Sequence, residues 1–103
     1  MLYLRKQFLS MRIKFQDDFL FELKSQIYYL SKDKPVAARK FKNDLLRNIQ
    51  KDLNQPFLFK KSRYYNDENI RDYVFKGYTI IYYIDEAENS VSVFSLIKHK
   101  HSL

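Results

Sequence analysis

The sequence of 103 residues contains no cysteine and no tryptophan, and it has only one glycine and two prolines. Without cysteine the chain can form no disulfide bond or thiolate metal site and has no cysteine nucleophile, which fits a cytoplasmic protein. No apolar run approaches the roughly 18 residues that cross a bilayer, so we expect no membrane contact. The two histidines lack a third ligand for a metal, and we expect neither metal nor cofactor.

The composition is apolar and basic. Hydrophobic residues make up 46% and aromatic residues 17%, which is too apolar for a disordered chain and fits one globular domain. The net charge of +7 attracts nucleic acid, an acidic protein or a ribosomal surface; a basic surface with no specific anionic partner is the alternative. Residues 1–10 lack the features of a signal peptide, and Met11 is an alternative start. We therefore interpret 1–10 as an N-terminal extension and 11–103 as the single domain.

The first half of the sequence predicts one strand followed by two helices. Residues 11–15, MRIKF, alternate apolar and basic side chains as a strand with one buried face does. Apolar residues recur at helical spacing over 18–32, and a second stripe follows Pro35, which can open a helix but cannot continue one. That stripe consists of Ala38, Phe41, Leu45, Ile49 and Leu53. Asp44 lies at helical spacing from Lys40 and Arg47, which predicts ion pairs on the solvated face.

The second half predicts a long connection and three strands. Residues 54–69 contain Pro56 and clustered Asn and Asp, and we expect a connection with a short strand near 63–65. The segments IRDYVF, YTIIYYI and VSVFSLI are rich in β-branched and aromatic residues and are typical of consecutive hairpin strands. Gly77 separates the first two, because a two-residue turn needs a positive φ that glycine adopts at almost no steric cost.

The resulting order β-α-α-β-β-β predicts an α+β fold, in which a helical hairpin packs on one face of an antiparallel four-stranded sheet. We expect the first strand to lie beside the third or the fourth. Alternation along YTIIYYI directs Tyr78, Ile80, Tyr82 and Ile84 to one face, where packing in the core is favoured over stacking of nucleic-acid bases. Tyr83 points to the other face and stays available for binding.

Three stretches together resemble the RelE/ParE superfamily of toxins from bacterial type II toxin–antitoxin systems. They are DKPVAARKFKNDLLRNIQKDLNQP, IRDYVFKGYTIIYYID and VSVFSLIKH, and the likeness covers residues 11 to about 101. The specific marks are Pro35 with Ala37 and Ala38 at the helix junction, Arg71 opening the second strand, Gly77-Tyr78 with Ile80 and Tyr82, and His99 ending the fourth strand. The helix junction and the IKH ending look more like the ParE side of the superfamily.

The resemblance implies a small toxin that an antitoxin holds inactive, in a toxin–antitoxin hetero-oligomer, until the antitoxin is degraded. ParE-like members poison DNA gyrase, whereas RelE-like members cut messenger RNA in the ribosome without a metal. The resemblance favours growth arrest through DNA gyrase. The alternatives are a ribosome-dependent mRNA endoribonuclease and a non-toxic relative that only binds its antitoxin. Whether the chain is an enzyme depends on this choice.

Metal-free RNA cleavage needs a base, an acid and cations around the reacting phosphate. The candidate catalytic residues are Arg71, Lys98, His99 and His101, which we expect to converge on the sheet face opposite the helices. Two features count against cleavage. Thr79 stands where the resembled RelE nucleases carry an arginine, and His101, near the place of another, is mostly neutral at cellular pH. Arg71 has a structural alternative, an ion pair with Asp72, Asp85 or Glu86.

A second set of residues is predicted to bind the antitoxin or the target. It consists of Arg63, Arg71, Lys76, Tyr83 and Lys98. An antitoxin segment that folds on contact is expected to place a helix or a strand over apolar and basic grooves and to supply compensating acidic residues.

Overall fold

A computed structural model describes residues 11–100 of the chain. The elements are β1 (Arg12–Phe15), α1 (Asp17–Ser31), α2 (Pro35–Asp52), a short 3-10 helix (Pro56–Leu58), β2 (Ile70–Phe75), β3 (Tyr78–Asp85) and β4 (Ser90–Lys98). The predicted order of strands and helices is therefore confirmed. The predicted extension over residues 1–10 and the candidate His101 lie outside the described residues. None of the helices in the described part is both long and apolar enough to cross a membrane.

The four strands form one sheet in the order β1-β4-β3-β2. The hairpin pairs β2–β3 and β3–β4 are antiparallel, and the expectation that the first strand joins beside the third or fourth is confirmed by its pairing with β4. The expectation of a fully antiparallel sheet is wrong, because β1 runs parallel to β4. Only a tight turn forces neighbouring strands to run in opposite directions. Strand β1 leaves the sheet through two helices, and so its direction is not constrained in this way.

Both helices begin and end within one residue of the positions that the sequence predicts. Asp17 and Asp18 lie in the first turn of α1, where carboxylates interact favourably with the positive end of the helix dipole. Pro35 occupies the first turn of α2, where its missing N–H costs no hydrogen bond. The two helices pack side by side, and α1 also packs on β4, so the helical hairpin covers one face of the sheet.

The core lies between the helical hairpin and the sheet. Tyr78, Ile80, Tyr82 and Ile84 are at most 6% exposed, which confirms their predicted packing. They pack in one cluster with buried residues of both helices, among them Phe19, Leu23, Leu45 and Ile49. The core therefore uses the apolar stripe of each helix and one face of β3.

The other face of the sheet is also covered, which alternation along β3 does not predict. Ile81 is only 1% exposed. The segment between α2 and β2 explains this burial. The backbones of Lys60 and Ser62 form hydrogen bonds with the outer edge of β2. Further along the segment, the Tyr65 ring lies 5.5 Å from the Phe94 ring of β4. Because β3 lies between these two strands, the segment crosses β3 on the face away from the helices. The short strand predicted near 63–65 is absent from this described segment; the β contact is a single bridge between Lys61 and Arg71.

The β2–β3 turn has the geometry predicted for the single glycine. Gly77 has a φ of +83°, and the preceding Lys76 has a φ of +47°. Positive φ at both central residues is characteristic of a type I′ turn, whose twist matches that of the flanking strands.

Replacing Gly77 with alanine is expected to destabilise the protein by about 1–2 kcal/mol, because an alanine side chain is strained at positive φ. A Cβ at this position meets no atom within 4 Å, so the effect arises from the backbone alone. Urea unfolding measures it. The matched control is Gly77→Asn, since asparagine tolerates positive φ despite its larger side chain. An equal loss in the two variants would show that bulk, not φ, is the cause.

Candidate functional site

The predicted site residues lie in separate parts of the described chain. Lys76, Lys98 and His99 surround the β2–β3 turn: the His99 N–H donates to the Gly77 carbonyl over 2.8 Å, and Lys98 pairs with Tyr78 across the sheet. Arg71 in β2 pairs with Tyr82, which lies four residues after Tyr78 in β3 and so away from the β2–β3 turn. Arg63 lies outside β2, and Tyr83 is exposed on the sheet face away from the helices. Convergence of the candidate residues on one sheet face is therefore not observed.

Three segments bring cations together around the β2–β3 turn. The Phe41 ring of α2 lies 5.0 Å from the Tyr78 ring, and Lys98 Nζ lies 5.7 Å from the Tyr29 ring centre in α1. The continuous segment formed by the turn between the helices and the first half of α2 thus meets the β2–β3 turn and the end of β4. We call this region the basic end; its cations are Lys32, Lys34, Arg39, Lys40, Lys42, Lys76, Lys98 and Lys100.

Asp44 is a carboxylate shared by cations of the basic end and of α2. It accepts hydrogen bonds of 3.0 Å from both Lys40 and Arg47, which confirms the predicted pairs, and Lys76 Nζ lies 3.7 Å away. The hydrogen bond from Lys40 is the largest of the contributions that hold the pKa of Asp44 below its usual value, although partial burial opposes them. Through Lys76, this carboxylate also links α2 to the β2–β3 turn.

The charge of Asp44 should therefore make stability depend on acid pH. A carboxyl with a lowered folded pKa stabilises the protein above its unfolded pKa, and this contribution is lost as the pH falls through the folded pKa. We expect Asp44→Asn to destabilise the protein at pH 6 and the difference from wild type to shrink towards pH 2. Urea unfolding across that range measures it. Asp33→Asn removes an acid that makes no ion pair within residues 11–100, and a similar pH-dependent difference there would contradict a specific role for Asp44.

His99 is held by one hydroxyl group. Its Nε2 lies 2.7 Å from Thr79 Oγ1, and the tautomer of the ring decides which atom donates. Thr79 is buried, whereas His99 is exposed and flanked by Lys98 and Lys100. The exposed imidazole thus lies between two lysines, where it is accessible to a bound anion. Lys98 points to the helix side of the sheet, because residues paired across strands share a face and its partner is the core residue Tyr78.

Arg71 interacts with backbone carbonyls. Its Nε donates to the Glu68 carbonyl over 2.9 Å, and its Nη1 donates to the Phe59 carbonyl over 2.9 Å and to the Phe57 carbonyl over 3.5 Å. The guanidinium also lies 5.1 Å from the centre of the Phe57 ring. These contacts fix the 3-10 helix against the start of β2. The proposed ion pairs with Asp72, Asp85 and Glu86 are not among its contacts.

A groove runs along the outer edge of β2, which we call the margin groove. Its volume is about 750 Å³, and it is lined by the apolar Leu58, Phe59, Tyr73 and Val74, the basic Lys60, Lys61 and Arg63, and Asp72. The backbone N–H of Arg63 donates to Asp72 Oδ2 over 3.0 Å, and the other carboxylate oxygen of Asp72 is buried without a partner in the described part of the chain. Of the predicted binding residues, this groove contains Arg63.

A second groove lies between the two helices, which we call the helix groove. It has a volume of about 440 Å³ and is lined by Leu20, Leu23, Ile27, Tyr28 and Leu46, with Lys24 and Lys42 among its lining residues. Leu20 and Tyr28 are 44% and 67% exposed, so the apolar wall of this groove is accessible to a partner. The sequence prediction missed this groove, although Leu20 and Tyr28 lie at helical spacing beside the buried stripe of α1.

Within residues 11–100, no three His, Asp or Glu side chains are grouped as metal ligands are. The chemistry of the described surface is that of cations and apolar grooves. The basic end can bind anions, and both grooves can hold a peptide that combines apolar and acidic side chains.

The architecture defines the chain as a RelE/ParE-like protein, with two helices on one face of a four-stranded sheet. The isolated RelE toxin of E. coli has the same fold, with a TM-score of 0.55, 17% identity, and coverage of 90% of this chain and 88% of that chain. The toxin–antitoxin complex RelBE2 of Mycobacterium tuberculosis matches with a TM-score of 0.59 and 15% identity, over 88% of this chain and 100% of that chain. Comparison with curated protein sequences gave no match.

The family follows from the sequence itself. Residues 13–103 match the family model described as the ParE toxin of the type II toxin–antitoxin system, parDE. This match covers most of the chain, which therefore belongs to the ParE toxin family of type II toxin–antitoxin systems.

Proposed function

We propose that this toxin arrests growth in the bacterial cytoplasm by inhibiting DNA gyrase and that a cognate antitoxin neutralises it. The observation that supports gyrase over messenger RNA is the separation of the candidate catalytic groups. Arg71 in β2 pairs with Tyr82, whereas His99 at the end of β4 bonds to Gly77, five residues earlier in the chain than Tyr82. At about 3.3 Å per residue, the two attachment points are separated by roughly 16 Å along β3, and they lie on opposite sides of that strand.

The environments of these groups also favour binding over RNA cleavage. Cleavage through the 2′-hydroxyl requires a base, an acid and cations around one phosphate. The guanidinium of Arg71 is engaged by three carbonyls, Lys98 lies on the helix side of the sheet, and Lys76 approaches Asp44. A protein that inhibits an enzyme by contact needs no such convergence.

The alternative target, messenger RNA in the ribosome, has one specific observation in its favour. His99 is an exposed imidazole that bonds to Thr79 and lies between two lysines, which is an arrangement suited to acid or base catalysis. In that function His99 and Lys98 act on the RNA, and Arg71 has a structural role.

The antitoxin is proposed to bind through the two grooves. The helix groove combines apolar walls with Lys24 and Lys42, and the margin groove combines Leu58 and Val74 with Lys60, Lys61 and Arg63. An antitoxin segment with alternating apolar and acidic side chains matches both in polarity and charge. The product is a toxin–antitoxin hetero-oligomer.

Two measurements test the target. The protein is induced in cells without its antitoxin and messenger RNA 5′ ends are mapped, while DNA supercoiling by purified gyrase is assayed with and without the protein. Growth arrest and loss of supercoiling without new 5′ ends are expected. New ends at codon-spaced positions within translated frames would replace gyrase by the ribosome as the target. Normal growth and active gyrase would indicate a non-toxic relative that only binds its antitoxin.

A further inference from the structure

The charges of this protein are concentrated at one end. Within residues 11–100, the segments 32–44, 76–77 and 98–100 contain eight Lys and Arg residues and two acids, Asp33 and Asp44, so they hold a net charge of +6, whereas the other described residues have nine Lys and Arg against ten acids. Asp44 is already bonded to Lys40 and Arg47. The side chains of Lys40 and Lys76 are 74% and 60% exposed even though both approach Asp44. The basic end therefore presents most of its positive charge to solvent.

This surface differs from the two grooves in what it offers a partner. The grooves have apolar walls, as expected of sites for a folded or extended peptide. At the basic end the Phe41 and Tyr78 rings contact each other. The more exposed Tyr28 and Tyr29 rings have Lys32 and Lys98 over them at 5.2 and 5.7 Å, so the ammonium groups already occupy ring faces on which single-stranded bases would stack. A cluster of exposed cations suits the phosphates of a nucleic-acid duplex, where release of counterions supplies most of the binding energy.

We propose that the basic end binds the phosphate backbone of duplex DNA without reading its sequence, and that it contacts in this way the DNA held by gyrase. The contact with gyrase-bound DNA rests on the proposed function, but binding to DNA alone does not require gyrase. The lysines of the strand end and of the turns supply the phosphate contacts. Inhibition of gyrase would then depend on simultaneous contact with enzyme and DNA.

The test compares two double variants with the same net charge. Lys98→Gln with Lys100→Gln alters the basic end, and Lys14→Gln with Lys51→Gln removes two exposed lysines elsewhere that make no ion pair within residues 11–100. Binding of a fluorescent duplex of about two helical turns is measured by anisotropy between 50 and 200 mM salt. Thermal unfolding followed by circular dichroism verifies that both variants are folded.

We expect wild-type affinity to fall steeply with salt and the basic-end variant to bind roughly ten- to a hundredfold more weakly near 0.1 M salt, with the salt slope reduced by about 2. The control variant should stay within a few fold of wild type. Equal losses in the two variants, or stronger binding of single-stranded RNA of the same length, would overturn the proposal. So would full inhibition of gyrase by a basic-end variant that no longer binds DNA. If the wild type binds duplex DNA through the basic end but leaves gyrase active, the gyrase proposal fails while the DNA site stands.

Discussion

Replacing Arg71 with alanine is expected to lower the free energy of unfolding by about 2–3 kcal/mol. Three carbonyl groups, those of Phe57, Phe59 and Glu68, accept hydrogen bonds from its guanidinium. Hydrogen bonds from a charged donor are each worth about 1.5–3 kcal/mol, and the loss is reduced where solvent replaces the donor. The variant would lose the hydrogen bonds that join β2 to Phe57 of the 3-10 helix and to the adjacent Phe59. Urea unfolding, followed by circular dichroism, measures the change.

The controls separate this structural role from a functional one. Arg63→Ala removes an exposed arginine whose side chain makes no hydrogen bond within residues 11–100, and its effect should stay within about 0.5 kcal/mol. Arg71→Lys keeps the positive charge but lacks the planar guanidinium that bonds to several carbonyls at once. We therefore expect it to be little more stable than Arg71→Ala. An Arg71→Ala variant that is as stable as wild type yet no longer toxic would instead place Arg71 at the target.

The contacts of Arg71 illustrate what local sequence patterns can and cannot predict. The sequence suggested ion pairs with acidic neighbours, of which Asp72 is adjacent in the chain. Successive residues of a strand point to opposite faces, so Arg71 and Asp72 project apart. Arg71 instead lies on the face of Tyr82, next to the 3-10 helix. The position of that helix depends on the path of the long connection between α2 and β2. This path is determined by tertiary packing, and no periodic pattern in the sequence indicates it.

The helices and the hairpin strands were predicted well because their signals are local. Apolar spacing located both helices to within one residue, and the single glycine located the β2–β3 turn. The direction of β1 was not predictable in this way, because it depends on how two helices return the chain to the sheet. The buried state of Ile81 likewise results from a distant segment that crosses β3, not from the pattern of β3 itself.

The candidate site was predicted as a list of cations but not as an arrangement. Lys76, Lys98 and His99 lie together because the β2–β3 turn and the end of β4 are neighbours in a meander, which the order of strands implies. The position of His99 depends on the register of β3 and β4, which is shifted between Ile81 and Tyr82 and which the longer connection between these strands does not specify. The helix groove was missed because apolar spacing assigns Leu20 to the buried stripe of α1 and does not show that it is 44% exposed.

Replacing Tyr82 with phenylalanine is expected to cost about 1–3 kcal/mol of stability. Tyr82 is fully buried, and its hydroxyl donates a 2.6 Å hydrogen bond to the carbonyl of Pro56. Phenylalanine fills nearly the same space but leaves that carbonyl without a donor, and a buried polar group without a partner is costly. The neighbouring Tyr83 is 38% exposed, and its hydroxyl makes no hydrogen bond within residues 11–100, so Tyr83→Phe is the matched control and should stay within about 0.5 kcal/mol of wild type.

The same hydroxyl gives this prediction an independent readout in alkaline solution. Burial raises the pKa of Tyr82, and burial also raises the pKa values of Tyr73 and Tyr78. A group whose pKa is raised on folding stabilises the protein below its unfolded pKa, and this contribution is lost as the pH rises above about 10. Stability should therefore fall above pH 10 in wild type, and fall less steeply in Tyr82→Phe because two of the three tyrosines remain. The quantity to compare is the slope of the free energy of unfolding against pH above pH 10. If Tyr83→Phe reduces this slope and Tyr82→Phe does not, the hydroxyl of Tyr82 is not the buried group that bonds to Pro56.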